Sequence, residues 1–149
     1  MNNHRNDMHP ATIGVHGGPE DRTPGAPVVP PITQSATFHW ATPEDGDLLY
    51  SRYGNNPNQI HVGVKAAALE GTEAGIALGS GMAAAAMTML ALTEAGDHVV
   101  AASGLYGATQ ALLAHELPRR GVETTFVDPD VGGWEAALRP ETRVIRSEE

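Results

Sequence analysis

Apolar residues recur at helical spacing between about Asn58 and Glu70: Ile60, Val64, Ala67 and Ala68 share one face, and Gly71 offers a stop. Tyr50 to Pro57, rich in Gly, Asn and Pro, reads as the loop that leads into this helix. A short apolar run from Ala74 to Leu78 predicts a strand ending in Gly79-Ser80-Gly81. Met82 to Ala95 then follows, alanine-rich and long enough to be a buried helix. The order strand, tight turn, helix repeats twice. His98 to Ala102 predicts a strand that leads through Gly104 to a helix from about Tyr106 to Arg119. Val122 to Val127 predicts a third strand ahead of the segment around Trp134 to Leu138, and Thr142 to Ile145 the start of a fourth.

This alternation predicts an α/β fold in which a parallel sheet is covered by helices through right-handed crossovers. Ligands of such sheets sit beyond the carboxyl ends of the strands. Those ends carry Gly79-Ser80-Gly81-Met82, Ser103-Gly104-Leu105-Tyr106 and Asp128-Pro129-Asp130. Residues 1–47 differ in character: they are rich in Pro, Asn, His and Gly, with Pro27, Pro30 and Pro31 close together. They read as an extended arm and lead-in, with residues 48–149 forming the α/β domain.

Composition narrows the functions available. The 149 residues suit one domain, and 41% apolar content is ordinary for a soluble protein with a sizeable core. A net charge of −9 opposes binding to nucleic acid or to an anionic membrane. Zero cysteines remove disulfides, thiolate metal sites and thiol nucleophiles. The amino terminus shows no apolar segment of signal-peptide type, and Met82 to Leu92 is short for a membrane span, so the expectation is a cytoplasmic protein. His4, His9, His16, His39, His61, His98 and His115 lack the close helical pairing of metal sites, and are expected to be solvated or capping.

The turn Gly79-Ser80-Gly81-Met82-Ala83-Ala84 exposes backbone N–H groups at the positive end of a helix dipole, which favours phosphate. It also matches G-x-G-x-x-A, the dinucleotide fingerprint. That reading needs an acid at the end of the next strand, where Ala101, Ala102 and Ser103 stand, while Asp97 precedes the strand. Taken alone, the motif also fits a turn whose glycines serve only close packing.

Several motifs in one order carry more weight. Tyr50-Ser51-Arg52-Tyr53-Gly54-Asn55, Gly79-Ser80-Gly81-Met82-Ala83-Ala84, Ala95-Gly96-Asp97-His98-Val99-Val100, Leu105-Tyr106-Gly107-Ala108-Thr109 and Thr125-Phe126-Val127-Asp128 together resemble the start of the cystathionine γ-synthase, or transsulfuration, family of fold-type I pyridoxal-phosphate (PLP) enzymes. Val29-Pro30-Pro31-Ile32, with Ser35-Ala36-Thr37-Phe38 behind it, resembles the amino-terminal arm of that family. The resemblance runs from about Ile13 to Ile145.

The resemblance implies PLP as cofactor and the first part of the fold-type I large domain as the fold. It implies that Gly81 and Met82 donate backbone N–H groups to the cofactor phosphate beside Ser80. It implies that Tyr106 stacks on the pyridine ring. Tyr50 and Arg52 would reach the phosphate of a neighbouring subunit, a phenol and a two-pronged guanidinium serving as donors, which implies a homo-oligomer. Each of these has a plainer reading too: an exposed loop for Tyr50 and Arg52, and a helix-start anchor for Tyr106.

In the family the Schiff-base lysine and the carboxylate beside the pyridine nitrogen lie downstream. The only lysine here is Lys65, within the first helix, and it reads as a surface residue. Ser147-Glu148 resembles the last trace of a downstream loop, and a truncated reading frame or fragment is the expectation. The chain as a guide to its family points to elimination or replacement at Cβ or Cγ of a sulfur amino acid or activated homoserine, by a lyase or transferase. Taken literally, it points to a non-catalytic phosphate-binding or subunit-interaction fragment, and a nucleotide-binding α/β domain rests on the glycine turn alone.

Overall fold

Asn56 and Pro57 open the longest helix by a capping box. The Asn56 side chain accepts from the Asn58 N–H at 2.9 Å, and the Gln59 side chain accepts from the Asn56 N–H at 3.2 Å. Pro57 at the first helical position gives up no hydrogen bond. In the computed structural model, which describes residues 8–18 and 23–147, this helix is α2, Pro57–Glu70. It ends at Gly71 in the left-handed region, φ 66°. His4, Glu148 and Glu149 lie outside the described residues. The chain divides into two compact units, residues 1–77 and 78–149.

In the first unit, a helix α1 (Pro10–His16) stands inside the stretch expected to be extended. His9 Nδ1 accepts from the Ala11 N–H at 3.2 Å, and Pro10 presets the first turn. Buried Ile13 anchors the helix, which packs against α2, and Lys65 Nζ on α2 donates to the Val15 carbonyl at 3.4 Å. Lys65 is half-buried and tied to α1, not the plain surface residue that the helical pattern suggests. Further along, asparagine side chains pin residues 33–37 to the α2 lead-in. Asn58 bonds both backbone groups of Thr33, and Asn56 Nδ2 donates to the Ser35 carbonyl at 3.0 Å.

The expected strand at 74–78 does not form. A strand needs a neighbour for its backbone groups, and no strand among the described residues pairs with this segment, leaving Ile76 85% exposed. Gly75 instead meets Gly63 of α2 so closely that a Cβ on either would overlap the backbone of the other.

The second unit carries the sheet. Strands β1 (His98–Ala102), β2 (Glu123–Val127) and β3 (Thr142–Arg146) run parallel in the order β2-β1-β3. As the centre strand, β1 is buried along its whole length, which is why His98-Val99-Val100-Ala101-Ala102 shows no polar alternation. Helix α3 (Gly81–Leu92) lies against the sheet through Met89. It is less buried than expected, with Met87, Leu90 and Leu92 exposed, because three strands cover one side of a helix that is apolar all round.

After β1, α4 (Gly107–Ala111) runs without a break into a π-helical turn, Leu112–Glu116, and a 3-10 turn, Pro118–Arg120. The Leu117 N–H reaches the Leu112 carbonyl at 3.0 Å, so the ladder widens just ahead of Pro118, whose ring would crowd the carbonyl four residues back. A short α5 (Trp134–Ala137) precedes β3. Val99, Ala101, Leu105, Leu113, Leu117, Val122 and Met89 form the core, each large side chain contributing about 1.5–3 kcal/mol by leaving water.

Candidate functional site

Because the three strands are parallel, their carboxyl ends share one end of the second unit, and Ser103–Tyr106, Asp128–Asp130 and Ser147 follow there. The Ser103 N–H extends the ladder to the Val127 carbonyl at 2.8 Å, so the turn leaves β1 in a fixed direction. Asp128 closes its own turn, Oδ1 accepting from the Asp130 N–H at 3.0 Å.

The first turn of α3 leaves two backbone amides open. Ser80 is the extended N-cap, φ −166° and ψ 162°, and its Oγ accepts from the Ala83 N–H at 3.0 Å. The Ala84 N–H bonds the Ser80 carbonyl at 3.0 Å. The amides of Gly81 and Met82 make no hydrogen bond among the described residues, and they point out of the positive end of a twelve-residue helix. Around Gly79 and Gly81 the space is open, since a Cβ at either would meet nothing within 4 Å. Two open amides and open space at a helix start are what a phosphate needs.

Tyr106 stands at the N-cap of α4, its carbonyl accepting from the Gln110 N–H at 3.0 Å and its side chain 65% exposed. The two helix starts are joined: Thr109 Oγ1 of α4 donates to Met82 Sδ of α3 at 3.6 Å. Ser80, Gly81, Met82 and Tyr106 therefore belong to one unit and to two helices in contact. Thr109 stood in the Leu105–Thr109 motif without a role. Its signal is burial of a hydroxyl at 3% exposure, which a sequence pattern does not show.

Tyr50 and Arg52 lie in the other unit. Tyr50 bridges Thr37 in antiparallel fashion, and its N–H donates to Asn55 Oδ1 at 2.8 Å. The Arg52 guanidinium sits over the Tyr50 ring, 5.5 Å from its centroid, and Tyr53 meets the same ring edge-on at 5.2 Å. Arg52 makes no ion pair among the described residues, so its exposed donors remain available. Asn55 and Asn56 hold this loop through bonds to Leu48, Ser51 and Ser35, which carry no periodic signature.

The dinucleotide reading finds no support in this geometry. Asp97 lies at the amino end of β1, with Oδ2 accepting from the Glu94 N–H at 2.8 Å and Oδ1 accepting from Arg143 Nε at 3.2 Å. The Glu94 N–H, with a smaller contribution from Arg143, holds its carboxyl below the ordinary carboxylate range. Among the described residues no group of three or more His, Cys, Asp or Glu could hold a metal, and no helix is long and apolar enough to cross a membrane. His98 is neither solvated nor capping. It is buried at 1% exposure, and its ring nitrogens lie 2.8 Å from the hydroxyls of Thr142 and Thr125.

Known proteins are similar to this chain in sequence and fold. The family described as Cys/Met metabolism PLP-dependent enzyme matches residues 11–149. The L-methionine gamma-lyase of Porphyromonas gingivalis is 40% identical over 147 residues, covering 91% of this chain and 36% of its own length. The crystal structure of metB from Corynebacterium glutamicum superposes with a TM-score of 0.84 at 34% identity, over 95% of this chain and 37% of that one. Cystathionine gamma-lyase from Lactobacillus plantarum, solved with L-serine, gives a TM-score of 0.81 at 33% identity over 94% of this chain and 36% of that one. The chain thus spans little more than a third of the length of the relatives it matches.

Proposed function

The chain belongs to the Cys/Met metabolism family of PLP-dependent enzymes, and on that premise we propose that it supplies the phosphate-holding part of an enzyme acting on sulfur amino acids or activated homoserine. The reaction class is elimination or replacement at Cβ or Cγ. PLP, when bound, supplies an electron sink for the negative charge that this chemistry generates next to the amino group.

The observation that carries this reading is the pair of open amides at Gly81 and Met82. Ser80 spends its own hydroxyl on Ala83, which holds the turn in shape and leaves those two N–H groups for the phosphate oxygens. Tyr106, exposed at the start of α4, offers a flat face for the cofactor ring. Tyr50 and Arg52 present a phenol and a guanidinium on one loop, suited to the phosphate of a neighbouring subunit in a homo-oligomer.

A second reading concerns the chain by itself: it holds the cofactor phosphate, or pairs with other subunits, without turnover. Its support is that the one lysine, Lys65, donates to the Val15 carbonyl and lies in the other unit from the α3 turn.

Gly81→Pro tests the shared core of both readings. Gly81 is the first helical residue, where proline is tolerated, and the substitution deletes one phosphate donor while leaving the helix intact. The phosphorus resonance of added PLP should shift on binding to the wild-type protein. In Gly81→Pro the affinity should fall about ten- to a hundredfold, the worth of one hydrogen bond to a charged group. Equal affinity in the two proteins contradicts the assignment. Formation of a 2-oxo acid from sulfur amino acids by the PLP-loaded wild type would contradict the second reading.

A further inference from the structure

We propose that Thr109 is a positioning residue that holds the phosphate-binding turn of α3 at a fixed spacing from Tyr106 at the start of α4. The inference rests on the phosphate reading of the α3 turn and adds a residue with no contact to the cofactor.

Thr109 is buried to 3% exposure, yet among the described residues its hydroxyl finds only the Met82 thioether, at 3.6 Å. Sulfur is a weak acceptor, and burying a hydroxyl on so weak a partner gains little stability. Valine has nearly the same shape, a similar helix propensity and no hydroxyl to desolvate, so stability alone gives no reason for threonine here. The hydroxyl does have a geometric consequence. Met82 carries one of the two open amides, and Thr109 lies three residues after Tyr106 on the same helical turn. Thr109 Oγ1 to Met82 Sδ is thus a direct tie between the residue that would hold the phosphate and the turn that presents the ring-facing tyrosine.

A flexible thioether without that tie can adopt other rotamers, and the first turn of α3 can then shift against α4. A ligand that touches only the α3 turn is indifferent to such a shift. One that must reach both the amides and Tyr106 is sensitive to it, as expected when binding requires two groups at one spacing.

Two probes separate these cases: inorganic phosphate, which engages the turn alone, and pyridoxamine 5′-phosphate, which spans turn and tyrosine and has no aldehyde to condense with Lys65. Both are measured by equilibrium dialysis on the full chain. In Thr109→Val, pyridoxamine phosphate should bind about three- to tenfold more weakly, inorganic phosphate should bind as before, and the thermal midpoint should stay close to wild type. Thr109→Ser, which keeps the hydroxyl, should bind both like wild type. Met82→Leu, which removes the acceptor sulfur at similar volume, should reproduce the Thr109→Val loss, and the double variant should add nothing to it. The same protocol thus stands if Thr109→Val folds poorly.

Unchanged pyridoxamine phosphate affinity in Thr109→Val and Met82→Leu overturns the proposal. Parallel loss of both probes overturns it as well, because Thr109 would then only stabilise the turn. Wild-type protein that binds neither probe overturns the phosphate reading itself, and the role of Thr109 with it.

Discussion

Asn58 clamps both backbone groups of Thr33: its Oδ1 accepts from the Thr33 N–H at 3.0 Å and its Nδ2 donates to the Thr33 carbonyl at 2.7 Å. A side-chain amide thereby acts as a one-residue strand partner, 25 positions away in sequence. It fastens residues 33–37, which carry the Thr37 bridge to Tyr50, onto the first turn of α2.

Asn58→Asp keeps the acceptor and loses the donor, setting a carboxylate oxygen against the Thr33 carbonyl. The expected cost is about 1–3 kcal/mol for a part-buried group left unpaired, read as a lower midpoint in urea. Amide exchange at residues 33–37 should rise more than exchange in β1. A loss spread evenly over the chain would show that the clamp has no local role.

His98 couples the sheet to pH. It lies between Thr125 of β2 and Thr142 of β3, with Arg139, Glu123 and Glu141 as the charged groups around it. Burial first, and the Arg139 charge second, push its pKa below the ordinary value of 6.5, against smaller opposing effects of Glu123 and Glu141. The unfolded chain therefore takes up the proton first as pH falls. Stability is complete above the ordinary histidine range and declines below it, towards the depressed folded value, with a slope no steeper than about 1.4 kcal/mol per pH unit. Urea midpoints measured between pH 7.5 and 5 should show this decline in wild type and lose most of it in His98→Gln.

Gly63 and Gly75 bring α2 and the following segment into backbone contact. Gly63→Ala would normally favour a helix, but here the added methyl overlaps the Gly75 carbonyl, so a destabilisation of about 1–3 kcal/mol is expected. Ala66→Gly, at an exposed position of the same helix, should cost only about 1 kcal/mol or less. A stabilised Gly63→Ala would mean that the two backbones are not held together.

These residues show what could be read in advance. Helix α2 and its stop at Gly71, the buried run of β1, and the strands β2 and β3 follow from periodicity and turn chemistry, which are local. The glycine turn before α3 was legible for the same reason, while the N-cap role of Ser80 was not read from it. Residues 74–78 misled because an apolar run shows strand propensity but not whether a neighbouring strand exists to pair with it. Helix α1 escaped because its signal, a histidine cap followed by Pro10, is short and sits among prolines that argue for extension. The Asn58–Thr33 clamp, the His98 hydroxyl pair and the Thr109–Met82 tie depend on contacts between distant residues, and no spacing rule announces them.

The two open amides at the start of α3 are read directly by an amide-resolved titration. Pyridoxamine 5′-phosphate is added to the isotope-labelled protein and every backbone N–H is followed. The predicted result is a saturable shift centred on Gly81 and Met82, with Tyr106 responding at the same ligand concentrations. Shifts confined to other parts of the chain, or none at Gly81 and Met82 at saturating ligand, would contradict the placement of the cofactor phosphate at this helix end.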